Sequence, residues 1–376
     1  MLRSMYSGIS GMKVNQTKLD VIGNNIANVG TTAFKSSRAE FKDMLYQNAG
    51  TATAPTTTKG GTNAKQVGLG AQLSSINKMM GQGNALSTGR SLDVCVDGDG
   101  YLIVGKGPAE YGEEGTTGGS GINATNQSIS GGDIEISYTR DGNLTLDHEG
   151  NLLTADGYRV MGYLLKDTTT AANATIPTSS TSSVKNSVPD GSNDPASIHA
   201  EYVNAESKEL EIVSNQLQPL MIPDKVWVPV YTPDGAAQAT PAGYQAVRSY
   251  EIGKDGVITA VLANGNRSAL GQIAMSTFKN PEGLNAVGGN LLQKSSNSGT
   301  EIVKNGLIKG SATADEKALD NSKGFGDFIQ GTLEGSNVDL TEQFTDMITA
   351  TRSFQASSKM ITTGDEILQT ITGLMR

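Results

Sequence analysis

Two apolar stripes with a seven-residue rhythm, one at each end of the chain, limit what it can fold into more than any other feature. From the start, Leu2, Met5, Ile9, Met12, Leu19, Ile22, Ile26 and Val29 recur at spacings of three, four and seven, with Gln16 as a polar interruption. The run has no proline. Its length, about 28 residues, corresponds to roughly 42 Å of helix. Asn24, Asn25 and Asn28, then Gly30, close it with residue types that favour helix ends and turns. At the other end, Asp339 and Glu342 have the spacing of an N-cap and capping box. Leu340, Phe344, Met347, Phe354, Ile361, Leu368 and Met375 then keep the rhythm, with Gly364 as an interior flaw. That flaw costs about 1 kcal/mol relative to Ala.

Such narrow stripes serve either of two purposes. They can pack on the protein's own core, or pair with each other and with copies from other chains. Charge leans towards pairing: residues 1–47 carry six Lys or Arg against three acids, and residues 334–376 carry three against six. Surface ion pairs are individually weak, so the asymmetry is a mild preference.

Between the stripes the period changes to two. Leu92, Val94 and Val96 alternate with Asp93 and Cys95, then Asp97-Gly98-Asp99-Gly100 leads into Tyr101–Val104, which predicts a hairpin. Similar punctuation recurs at Asp141-Gly142, Glu149-Gly150, Asp156-Gly157, Asp255-Gly256 and Asn264-Gly265. Residues 48–66 and 167–198, rich in Thr, Ser, Asn, Ala and Gly, have little to bury and read as connectors. The second opens a region containing the single tryptophan, Trp227. Of 376 residues, 36% are hydrophobic and 5% aromatic, with 46 glycines, which suits several small, turn-rich β domains better than one thick core.

The expected fold is therefore α+β and mainly β, with coiled-coil-like terminal helices joined to two antiparallel β domains in series. Residues 1–30 with 338–376 form the helical part, 31–70 with 321–337 a connector, and 71–166 with 250–320 an inner β domain. Residues 167–249 form an outer β domain inserted into the inner one.

Several function classes are disfavoured. A net charge of −9 argues against nucleic acid as a partner, which needs a basic patch. One cysteine makes no internal disulfide framework. No apolar run approaches the length of a membrane span, and MLRSMYSGISGMK lacks the apolar stretch of an ordinary secretory signal. Composition alone would therefore place a soluble protein in the cytoplasm. His148 lies in a turn sequence and His199 beside a low-complexity stretch, neither with metal-ligand neighbours. The Asp93–Val104 stretch fails as a calcium loop, with Cys95 at a ligand position and Val104 where a Glu is required. Gly68-Leu69-Gly70 lacks the remainder of a phosphate loop. No catalytic site, cofactor or metal is expected.

Two end motifs are more informative. Leu19-Asp20-Val21-Ile22-Gly23-Asn24-Asn25-Ile26-Ala27-Asn28, followed by Thr31-Thr32-Ala33-Phe34-Lys35-Ser36, resembles the N-terminal signature of flagellar rod and hook proteins. Leu333-Glu334-Gly335-Ser336-Asn337-Val338-Asp339-Leu340 is similar to the other end of that family, with Met347, Arg352, Phe354-Gln355 and Thr363–Leu368. Leu92–Val104 and Leu270–Ile273 extend the resemblance to about half the chain, and 167–249 carries none of it. Ala33 stands where the family often has Gly, which matters only if that position needs a positive φ. Thr351 and Ser357 replace the usual Gln and Asn.

The resemblance implies a self-assembling tube lined by the terminal helices, with the β domains outside. It implies contacts with the rod, the hook cap, the hook–filament junction proteins and the export apparatus. It also implies export without a cleaved signal to a site outside the cell, which reverses the compositional placement. The inserted β domain and the C-terminal wording favour a flexible hook that transmits torque from rod to filament. A distal rod or other axial protein is the alternative, and a non-flagellar surface adhesin the reading from another class. Some hook proteins of this family carry lysine–cysteine-derived cross-links between subunits, so Cys95 is either a small packing residue or a cross-link candidate.

Overall fold

The computed structural model describes residues 2–107, 120–122, 127–130, 134–167, 184–185, 199–213, 215–228, 243–308 and 320–374. The chain divides into two compact units: Met1–Gly83 with Ser336–Arg376, and Asn84–Gly335.

The first unit is built on two helices, α1 (Leu2–Ala27) and α2 (Leu340–Leu374). The Asn24 carbonyl accepts from both the side chain (2.9 Å) and the backbone N–H (3.2 Å) of Asn28 as α1 ends. Asp339 caps α2: its Oδ1 accepts from the backbone N–H of Thr341 at 2.8 Å and of Glu342 at 3.4 Å.

Between the helices, β1 (Ser37–Asp43), β2 (Tyr46–Gly50), β3 (Lys65–Gly68) and β4 (Ala71–Lys78) follow in order. β1 pairs antiparallel with β4, from Ser37 opposite Lys78 to Asp43 opposite Ala71. β2 pairs with β3, and a bridge joins Thr53 to Thr62. Residues 48–66, expected as an unstructured connector, thus complete a two-stranded ribbon. Their side chains bury little, and backbone pairing supplies the order instead. Gly70 is indispensable at the junction of β3 and β4, because its φ is +117° and a Cβ there would collide with Ser10 of α1.

Among the described residues the second unit is β apart from two short 3-10 turns, Pro281–Gly283 and Ser322–Gly324. β5 (Ala85–Ser87) pairs antiparallel with Thr332–Glu334. β6 (Val94–Asp97) and β7 (Tyr101–Lys106) do not form the expected hairpin. β6 pairs with Asp327–Gln330, whereas β7 pairs with Glu135–Thr139, Arg159–Tyr163 and Met275–Thr277. Asp97–Gly100 turns the chain from one sheet to another, and Gly100 packs so closely on Met275 that no side chain fits there. Later turn signals do close hairpins: Glu149-Gly150, Asp156-Gly157, Asp255-Gly256 and Asn264-Gly265 each lie between strands that pair. Among the described residues, pairing is antiparallel except for His199–Glu201, which runs parallel to Lys225–Val228.

The core of this unit follows the two-residue period most clearly in Val257–Leu262, where Ile258, Ala260 and Leu262 are fully buried. β7 is buried on both faces, so Leu102, Ile103 and Val104 are all enclosed. Each such aliphatic side chain contributes about 2 kcal/mol through burial. Ala200, Tyr202, Leu220, Ile222 and Val226 share one cluster with Val94, Val104 and Ile258. The described part of 167–249 therefore shares its core with its surroundings. The compact units divide at 83/84 and 335/336.

Candidate assembly interface

The two end motifs meet at one junction within the first unit. Asn25 is buried and pairs with Ser37 as a strand would. Its Nδ2 donates to the Ser37 carbonyl (2.8 Å), and its Oδ1 accepts from the Ser37 N–H (2.9 Å). The same Nδ2 donates to Oε1 of Gln343 on α2 at 3.0 Å. Asn337 closes the other side: Oδ1 accepts from the Ser36 N–H (2.7 Å), and Nδ2 donates to the carbonyls of Met79 (2.7 Å) and Gly81 (3.2 Å). The buried Lys35 donates from Nζ to the same Gly81 carbonyl (2.8 Å). The backbone N–H of Asn337 donates to the Phe34 carbonyl (3.3 Å), and Ser336 Oγ accepts from Val338. Asn24 and Asn28 bond each other at the end of α1. These residues fasten the end of α1, the root of the ribbon and the start of α2 together. Buried amides are costly unless bonded, so each motif residue is held by its partners.

The helices run antiparallel, with Lys18 Nζ 3.2 Å from Asp346 Oδ1 and Met5 beside Gly364. On α1, Met5, Met12, Leu19 and Ile26 are half-buried and Ile22 is buried. On α2, Met347, Phe354, Ile361 and Leu368 are half-buried. Small residues alternate with them. A Cβ on Gly8 would lie 3.3 Å from Ile361 Cγ1, one on Gly11 3.1 Å from Ser357 Oγ, and one on Gly364 3.2 Å from Met5 Cγ. Gly364 is thus a contact point and not a flaw in the helix, and Gly8 occupies the seam position expected for Ile9. Gln343, Ala350, Ser357 and Gly364 repeat every seven residues, a second register that a search for large apolar residues passes over. Gln16 is exposed, and the polar residue on the α1 seam is Asn15, half-buried. The Leu2 side chain lies outside the described residues.

Three expected seam residues face away. Ile9 is 37% exposed, Leu340 39% and Phe344 50%. They belong with other exposed apolar groups on the helices: Tyr6 on α1, and Ile348, Met360, Ile367, Ile371 and Leu374 on α2. α2 therefore carries exposed apolar residues on both flanks of the side turned to α1, with Leu340, Phe344 and Ile348 on one flank and Met360, Ile367 and Leu374 on the other.

In the second unit a buried charge cluster holds the paired strands β5 and Thr332–Glu334 in place. Arg140 Nε lies 3.2 Å from Glu334 Oε2, with both side chains almost wholly enclosed. Arg140 also donates to the Val96 and Gly98 carbonyls and lies over the Tyr101 ring. Burial pushes the Tyr101 hydroxyl up to about 12, with the nearby Arg140 opposing the shift and Asp99 and Glu334 adding to it. Cys95 is fully buried opposite Ile329 in this unit, its Sγ directed at the Val96 carbonyl, the setting of a packing residue. Among the described residues no group of three metal-ligating side chains occurs, and no helix is long and apolar enough to cross a membrane.

Comparison with known proteins converges on the same two ends. Residues 5–35 match the family described as "Flagella basal body rod protein", and residues 329–374 the "Flagellar basal body rod FlgEFG protein C-terminal". Residues 128–188 match the "Flagellar hook protein FlgE/F/G D1 domain". The flagellar basal-body rod protein FlgG of Bacillus subtilis is 36% identical over 376 residues, with all of both chains aligned. This chain belongs to the flagellar rod and hook protein family. The flagellar hook protein FlgE of Borreliella burgdorferi is 29% identical over 482 aligned positions, again with all of both chains covered. A crystal structure of Helicobacter pylori flagellar hook protein FlgE2 aligns at a TM-score of 0.35 and 12% identity, covering 66% of this chain and 100% of that one.

Members of this family are structural components of the flagellum, and its axial proteins self-assemble within the basal body and hook. The two end matches contain every motif residue of the junction: Asn24, Asn25, Asn28, Phe34 and Lys35 in one, Ser336, Asn337 and Asp339 in the other. Sequence reading missed what joins them. The shared acceptor, the Gly81 carbonyl, is a backbone atom in a segment without a motif. Gln343 is an ordinary-looking polar residue whose only sequence signal is its place in the small-residue register.

Proposed function

We propose that this chain is a non-enzymatic subunit of the flagellar hook, polymerising through its terminal helices into a flexible tube that carries torque from rod to filament. The observation that carries the assembly part is the set of exposed apolar side chains on the two flanks of α2. A helix that covers one face with α1 and leaves Phe344, Ile348, Met360 and Ile367 in water is unfinished as a monomer. Other copies of the chain supply the missing cover. The hook reading rests on the additional β region of 167–249 and on the C-terminal wording around Asn337-Val338-Asp339-Leu340. Partners at the two ends of the tube are the rod and the hook–filament junction proteins, with the hook cap acting during growth. Subunits reach this place, outside the cell, through the flagellar export apparatus without a cleaved signal.

A distal rod subunit is the second reading, favoured by full-length alignment at 36% identity with a relative named as a rod protein. Electron microscopy of polymer grown from the purified chain separates the two. Short curved tubes are expected for a hook, straight rigid tubes mark a rod protein, and absence of polymer contradicts both.

A further inference from the structure

The chain passes between its two compact units at 83/84 and again at 335/336. Any pull carried along the backbone therefore enters the second unit through residues 84–91 and leaves it through 331–335. These two segments form a strap with little hydrophobic anchorage. Residues 84–91 are all exposed, and Ala85–Ser87 pairs along its backbone with Thr332–Glu334. A two-stranded pairing this short is marginal without burial. The enclosed side chains that fasten it are acids. Glu334 is the one buried residue of its strand and lies 3.2 Å from Arg140 Nε. Arg140 is tied in turn to the Val96 and Gly98 carbonyls. Asp93, buried between Leu92 and Val94 of the core, accepts from Thr88 Oγ1 at 2.6 Å and from Arg90 Nη1 at 3.4 Å. Arg90 reaches on to Asn143 Oδ1 (3.0 Å) and the Leu144 carbonyl (2.8 Å). Gly331, at φ +74°, joins the strands at their inner end. Its N–H donates to the Asp93 carbonyl (2.8 Å), and its own carbonyl accepts from the N–H of Thr88 (2.9 Å) and of Gly89 (3.1 Å).

We infer that Asp93 and Glu334 are paired clasps that lock this strap onto the β core, one acid for each strand, so that the strap releases as a unit while the core stays folded. Apolar burial is non-directional and lets packed surfaces slide, whereas charge-assisted hydrogen bonds hold one geometry. Removing one partner of a buried ion pair leaves the other uncompensated, so each clasp opens abruptly and not by degrees. The mechanical consequence rests on the proposed torque-carrying tube: there, the clasped strap passes load into the β unit, and its release softens the joint.

The test is backbone hydrogen exchange, read by mass spectrometry on the full-length monomer, for Glu334→Gln and separately for Thr88→Val. Thr88 is exposed, so its replacement removes a bond to Asp93 without opening the core. Amides of 85–91 and 331–335 are expected to exchange roughly tenfold faster in either variant, while those of 101–106 and 257–273 keep the parent rate. Unchanged exchange in the strap would overturn the inference, because backbone pairing would then suffice to hold it. Faster exchange throughout the second unit would also overturn it, making both acids ordinary supports of the core. If Glu334→Gln does not fold, Thr88→Val decides alone, and a parent-like rate at 85–91 is the contradicting result. The monomer is measured, so the outcome is independent of whether the chain builds a hook, a rod or no tube.

Discussion

Ala33 is buried and sits at φ +54°, a left-handed conformation that costs an L-residue with a Cβ about 1–2 kcal/mol. It follows the asparagines that end α1 and precedes Lys35 and Ser36, whose bonds fix the junction. The positive φ is thus the condition under which the family's frequent Gly at this position has a physical reason. Replacing Ala33 with Val adds a branched Cβ to an unfavourable backbone, and the helical melting transition should fall by about 1–2 kcal/mol. Ala33→Gly relieves the backbone at the loss of one buried methyl and should leave that transition unchanged or slightly higher. Thermal unfolding followed by circular dichroism at the helical band measures both, and equal effects of Val and Gly would refute the assignment.

At the scale of elements, the rhythm of large apolar residues made both helices legible, and the spacing of Asp339 and Glu342 marked where α2 begins. What stayed hidden was the orientation of individual residues. Ile9 and Phe344 fit a seven-residue pattern but face outward, because the small Gly8 and the polar Gln343 complete the facing register. The β6–β7 hairpin was misread for a related reason. Alternation shows that a strand is half-buried, but β7 is buried on both faces and its partners come from distant sequence. The ribbon of 37–78 was invisible because backbone pairing leaves no hydrophobic pattern in residues such as Thr, Gly and Asn. Close approach at Gly8 gives a direct check of the seam. Gly8→Leu cannot be accommodated against Ile361 and Ser357 without separating the helices. Overpacking of this kind costs about 1–3 kcal/mol. The variant should lose helical signal at temperatures where the β unit remains folded. A helical transition like that of the parent chain would show that α1 and α2 pair elsewhere.

Across the whole molecule, different surfaces hold the monomer together and build the proposed polymer. The α1-facing seam, the asparagine junction and the Arg140–Glu334 cluster are internal, whereas the apolar flanks of α2 are exposed. Burial of these exposed flanks between copies is what drives the proposed assembly. Its most direct test is sedimentation and electron microscopy of a chain carrying Phe344→Asp and Ile367→Asp, both exposed in the monomer. The variant is expected to keep the parent's circular dichroism and melting behaviour. It should form no tubes, because each buried unpaired carboxylate costs several kcal/mol at every subunit contact. Tubes formed at the parent's concentration would contradict the claim.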